Sequence, residues 1–197
     1  MSRRIFLDVG AHRGQTLEAV VAMPEFDKIV CFEPVSAMWS KLEEIADERT
    51  VIRPFGLWNK DGMFPVYQPG SKGAGLWVKD NGRGADDVED CAFVRASRWT
   101  KENLREGDIV FLKINCEGAE CDIIDDLLDS KEFDRVTYAM VDFDVRKIAS
   151  MKHRELETRA RLAPYEFPRV AYTKQVMVGD THAKRIAHWI EQVNAHA

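Results

Sequence analysis

Three short stretches carry the residue types that could do chemistry. Asp8, Gly10, His12 and Gly14 lie in Ile5–Gly14, IFLDVGAHRG; Glu33 and Pro34 close the next apolar run, IVCFEP; Asn115, Glu117 and Glu120 follow a third run in LKINCEGAE. An apolar strand, a glycine turn, a helix start and an acid at the end of the next strand make one half of a nucleotide-binding α/β sheet. Gly10 lets the chain turn tightly off the strand, Gly14 allows close helix–strand packing, and free N–H groups at the helix start can face a negative group. Glu33 is placed to accept hydrogen bonds from a ribose diol.

The loop narrows the choice of nucleotide. Dinucleotide folds write G-x-G-x-x-G because the second glycine lets a pyrophosphate approach the backbone. Here His12 holds that position, so linked phosphates would meet an imidazole. S-adenosyl-L-methionine has a ribose and an adenine but no phosphate, and it needs the turn and the ribose acid without that second glycine. Adenosylmethionine is therefore preferred to a dinucleotide, and a strand–helix turn with no ligand is the third reading.

The elements that must hold these residues alternate along the chain. Strands are expected at Ile5–Val9, Ile29–Phe32, Val51–Phe55, Asp108–Ile114 and Val136–Val141, with helices at Gln15–Met23, from Ser36 as N-cap to about Glu48, and at Ala119–Leu128. This order argues for one doubly wound α/β domain over residues 1–197, with a parallel sheet and helices on both faces. An irregular insert at about 59–98 interrupts it. Within the insert Met63–Tyr67 pairs back, Pro69–Asp90 reads as a mobile loop, and Ala92–Ala96 is a further strand. Thr100 caps a short helical turn. Val145–Leu162 reads as a charged helix, Val170–Tyr172 and Gln175–Val178 as a closing hairpin, and Ala183–Val193 as an amphipathic helix carrying Trp189, in the core or in a homo-oligomer interface.

Bulk properties exclude several classes. A chain of 197 residues with 45% hydrophobic and 31% charged residues is long enough for a sizeable core, and a net charge of −5 gives no pull toward nucleic acid. The four cysteines, Cys31, Cys91, Cys116 and Cys121, lack metal-type spacing and read as free thiols. With no room for a signal peptide before the first strand and no apolar run near the ~20 residues of a membrane span, a cytoplasmic location is expected.

In FLDVGAHRGQT, CFEP and KINCEGAE, taken in that order, the chain resembles the FkbM-like family of S-adenosylmethionine-dependent methyltransferases, over roughly residues 5–128. The resemblance implies a Rossmann-like class I methyltransferase fold with a mostly parallel seven-stranded sheet, its last strand antiparallel. It also implies methyl transfer, commonly to a hydroxyl of a sugar, lipid or other small molecule. Carried over by residue, Asp8, Gly10 and Gly14 line the methionine end of the cofactor, Glu33 holds the ribose, Pro34 shapes the adenine side, Gly56 and Leu57 flank adenine, and His12 counts among the cofactor-binding residues. Two positions depart from the family pattern: His12 stands where asparagine is usual, and Asn115 where aspartate is usual. An asparagine cannot take a proton, so the catalytic assignment moves.

A hydroxyl acceptor benefits from a base within hydrogen-bond reach. Glu117 is the first candidate, then Asp142 or Asp144, with Asn115 orienting the acceptor or holding the cofactor's amino group. Glu120 reads first as a helix-dipole acid. A metal variant would place magnesium on Asn115, Asp142 and Asp144, as related methyltransferases for catechol-like diols do; the leading reading has no metal. Trp58, Trp77 and Trp99 read first as packing and second as an aromatic acceptor wall, and Gly73–Trp77 reads equally as a lid hinge or as a simply flexible segment. His153, His182, His188 and His196 receive no role. The alternatives are a non-catalytic adenosylmethionine-binding subunit, its base lost at Asn115, and a NAD-dependent reductase.

Overall fold

In the computed structural model the described residues are 2–77, 86–176 and 178–196. Six strands, β1 (Arg4–Val9), β2 (Lys28–Phe32), β3 (Thr50–Arg53), β7 (Ile109–Ile114), β8 (Tyr138–Val141) and β9 (Val170–Tyr172), form one sheet in the order β3-β2-β1-β7-β8-β9. Every pairing in it is parallel. Near-continuous apolar runs such as IFL and IVFL suit such strands because both faces are buried.

The period-two alternation sorts the core into two layers. Phe6, Ile29, Cys31, Phe111, Met140 and Ala171 face α1 (Gln15–Val21), α2 (Trp39–Ile45) and α7 (His182–Asn194), where Trp189 is fully buried against Phe6 and Phe111. Ile5, Leu7, Val9, Val110, Leu112 and Ile114 face α3 (Ala96–Asn103), α4 (Glu120–Asp129) and α5 (His153–Leu162). Helices on both faces agree with the sequence reading, and Trp189 belongs to the core.

Four expectations are corrected. The sheet has six parallel strands: the segment after β9 turns into the short α6 (Thr173–Val176), so no closing hairpin forms at Gln175–Val178, of which Met177 lies outside the described residues. β9 pairs parallel with β8 at the sheet's edge, and among the described residues no antiparallel strand joins this sheet. The insert contains a regular second sheet, β4 (Gly56–Trp58), β6 (Val88–Arg95) and β5 (Gly62–Tyr67) in the order β4-β6-β5; residues 78–85 of the expected loop lie outside the described residues. Phe64, Val66, Cys91 and Phe93 give this small sheet its own apolar face against Val35 and Met38.

The remaining two corrections concern helix ends. Ser36 is the first residue of a 3-10 turn, Ser36–Met38, and Val35 is its N-cap; Thr100 sits inside α3. The charged helix is broken: a 3-10 turn at Asp144–Lys147 is followed by non-helical chain before α5 begins at His153. Arg146 donates back to the Phe143 carbonyl and pairs with Asp142 and Asp144, which holds that turn tight against the sheet edge.

Candidate functional site

A cavity of about 460 Å³ opens at the carboxyl ends of β1, β2, β7 and β8, where open α/β sheets take ligands. Its volume is that of a small-molecule site. Gly10, His12, Glu33, Pro34, Gly56, Leu57, Asn115, Glu117 and Asp142 all line it, so most of the residues singled out in the sequence are brought together. Asp8 and Gly14 lie behind the wall.

The first loop is built for close approach. Gly10 and Ala11 both donate to the Phe32 carbonyl at 3.1 Å, and Asn115 N–H donates to Val9 O at 3.1 Å. A Cβ on Gly10 would lie 2.0 Å from the Asn115 carbonyl oxygen, and its φ of +81° already excludes most side chains. Gly14 serves packing: a Cβ there would meet Ile45 and Leu42 of α2.

Glu33 fastens this loop from the neighbouring strand. One carboxylate oxygen accepts from His12 N–H at 2.7 Å and the other from Val35 N–H at 2.9 Å. Each oxygen keeps a further lone pair for a ligand hydroxyl. Burial pushes the Glu33 carboxyl up to about 7, against the lowering effect of those two N–H bonds.

His12 takes a left-handed backbone, φ 48°. Burial lowers its imidazole below the ordinary range, an effect partly offset by the nearby backbone of Gly70 and Ser71. The ring faces a strap formed by residues 68–77, which is closed by Tyr67 N–H to Gly75 O at 2.8 Å and Gly75 N–H to Tyr67 O at 3.2 Å. Ser71, Ala74, Gly75 and Leu76 of the strap also line the cavity.

The opposite wall is crowded with charge. Lys147 Nζ lies 2.7 Å from Asp144 and 3.1 Å from Glu117; Arg146 lies 3.2 Å from both Asp142 and Asp144. Burial first, and the neighbouring Asp144 second, raise the Glu117 carboxyl to about 7, in spite of Lys147. Its backbone is left-handed, φ 52°. Glu120 is a fastener: fully buried, it accepts from Cys116 N–H at 3.0 Å and from Gly118 N–H with both oxygens, holding the 115–118 turn in shape.

For the magnesium variant, the oxygens of Asp142 and Asp144 are already engaged by Arg146 and Lys147, and among the described residues no group of three His, Cys, Asp or Glu side chains is arranged to hold a metal ion. The tryptophans are absent from the lining: Trp58 donates to Asp122 Oδ2 at 2.8 Å, Trp99 is buried edge-on to Phe32, and Trp77 packs beside Trp58. The aromatic rings that do reach the cavity are Phe32 and Phe93, the latter lying across the bare Cα of Gly56.

Sequence reasoning overlooked Lys113, Thr16 and His182, which line the cavity too. Lys113 Nζ pairs with Asp8 Oδ1 at 2.9 Å, and the side chains are 6% and 0% exposed. The signal was present: the apolar runs Ile5–Val9 and Ile109–Ile114 each carry one charge, and the two are register partners across β1 and β7. A buried charge demands such a partner.

No protein-family model and no curated protein matches the chain. Among solved structures, methyltransferase FkbM from Methylobacillus flagellatus KT is similar, at 16% identity over 66% of this chain with a TM-score of 0.41. This chain spans 30% of the length of that one. No helix among the described residues is long and apolar enough to cross a membrane.

Proposed function

We propose that this protein is an S-adenosylmethionine-dependent methyltransferase acting on a small molecule or saccharide, at a hydroxyl. The observation that carries the reading is Glu33: a buried carboxylate with spare acceptor capacity, beside a glycine turn whose second glycine position is filled by His12. The residues present fit a nucleoside. Glu33 meets a ribose diol, Pro34, Leu57 and Phe93 supply apolar contact for a base, and the His12 Nε2 atom is buried with no partner. When bound, the cofactor supplies an activated methyl group.

The chain's own part is positional. The strap over residues 68–77 and the Glu33-fastened loop keep water from the nucleoside side. Glu117, raised toward neutrality, is suited to accept a proton from an acceptor hydroxyl, because a base works best near the operating pH. Lys147 stays within reach of the carboxylate it faces, and Asn115 orients the acceptor through its amide.

Calorimetric titration with S-adenosylhomocysteine tests cofactor recognition, and mass spectrometry of a panel of hydroxyl-bearing acceptors tests transfer. Binding without any methylated product would support the non-catalytic subunit instead. One observation favours the reductase: the order β3-β2-β1-β7-β8-β9 is that of the dinucleotide-binding sheet. Against it stands His12, roofed by Gly70 and Ser71, over the place where a pyrophosphate would lie. Thermal stabilisation by NAD, but not by S-adenosylhomocysteine, would reverse the choice.

A further inference from the structure

Beneath the first loop, on the α1–α7 face of the sheet, three polar side chains converge that the proposed chemistry does not use. Lys113, in the middle of the sheet, spends two of its three ammonium protons on Asp8 Oδ1 at 2.9 Å and Gly10 O at 3.3 Å. Thr16 Oγ1 and His182 Nε2 lie 2.9 Å apart. All three line the cavity, and Lys113 and Thr16 are more than nine-tenths buried. Alternation puts Asp8 and Lys113 on the same face as Phe6 and Phe111, so α7 delivers His182 and α1 delivers Thr16 to the spot where the lysine ends.

We infer that Lys113, with Thr16 and His182, forms a carboxylate-binding subsite that takes the amino-acid end of the cofactor. The inference rests on the proposed adenosylmethionine reading and deepens it. An ammonium held by a buried partner cannot swing away, so its remaining N–H is presented in a fixed direction at little entropic cost. The Lys113–Asp8 pair is neutral as a unit, which suits a zwitterionic amino-acid group better than a doubly charged pyrophosphate. Where Thr16 accepts from His182, its own O–H is free to donate to the same carboxylate. Burial and the nearby Lys113 hold the His182 imidazole below its ordinary range, so it serves as a neutral hydrogen-bonding group.

The test compares two ligands that share a nucleoside and differ in the amino-acid end: S-adenosylhomocysteine and 5′-methylthioadenosine, titrated calorimetrically into the full chain. The wild type is expected to bind the first at least tenfold more tightly. The double variant Asp8→Asn/Lys113→Met, which removes both charges together so that neither is left buried alone, is expected to lose at least tenfold for S-adenosylhomocysteine while methylthioadenosine changes less than twofold. Thr16→Val, which leaves the ion pair intact, is expected to show the same selectivity at about threefold, and it carries the test should the double variant fail to fold. Equal losses for both ligands, or no loss for either, would overturn the subsite while leaving the cofactor reading standing. Competition by ADP-ribose that vanishes in the same variants would assign the subsite to phosphate and overturn it too. Binding of neither nucleoside by the wild type would remove the parent reading and the subsite with it.

Discussion

At the β1–β2 end of the cavity a single carboxylate, Glu33, works against backbone N–H groups, whereas at the β7–β8 end Glu117, Asp142 and Asp144 face Arg146 and Lys147. The first end is rigid and under-coordinated: its acid has acceptor capacity left and no cation against it. The second is saturated by side-chain ion pairs, partly exposed, which are individually weak and can exchange partners. The difference matches a division of labour in which one end holds a ligand of fixed shape and the other moves a proton.

The largest effect expected from breaking that contrast is on turnover. Glu117→Gln should lower kcat by about 10²–10⁴-fold while leaving S-adenosylhomocysteine affinity nearly intact, as loss of a base does. Wild-type turnover in that variant would pass the role to Asp142. Next comes stability: Gly10→Ala forces a Cβ into the Asn115 carbonyl at a left-handed φ, and should cost about 3 kcal/mol in denaturant unfolding. A change below ~1 kcal/mol would mean that the two loops are not packed as described.

Glu33→Ala should weaken S-adenosylhomocysteine binding by about 1–3 kcal/mol through the lost hydrogen bonds to ribose. Unchanged affinity in a titration would take Glu33 out of the site. The smallest effect is in pH. The folded chain holds the Glu33 proton more tightly than the ordinary carboxyl value of 4.5 allows, up to about 7. Stability from this group is therefore full at low pH and declines as pH rises from 4.5 through 7. Ligand hydroxyls prefer the ionised form, so affinity should rise over the upper part of that window, with proton release detectable in buffers of different ionisation enthalpy. Affinity that falls with rising pH would contradict the ribose role.

Much of the β1–β2 end of the cavity was legible in the sequence because it depends on local signals: a glycine at a left-handed turn, an apolar run ended by an acid, a proline after it. The layered sheet was legible for the same reason, through apolar runs separated by helical patterns. The Lys113–Asp8 pair joins two distant strands and is visible only once their register is known. His182 reaches the cavity because α7 folds back on α1, a placement no spacing rule encodes. The broken helix after Asp144 was misread because its composition is helical while its end is dictated by Arg146 binding the sheet edge. For the tryptophans packing was the leading reading and it holds, but the choice between packing and a pocket wall needed the fold, because their position near the insert was visible and their orientation was not.

The strap pinned by the Tyr67–Gly75 backbone pair has a kinetic implication. Because Ser71, Ala74, Gly75 and Leu76 of that strap line the cavity and Gly75 packs against the Glu117 backbone, whatever the cavity holds is shut in until the strap lifts. Release rather than transfer should then limit turnover, seen as a burst of product in the first cycle.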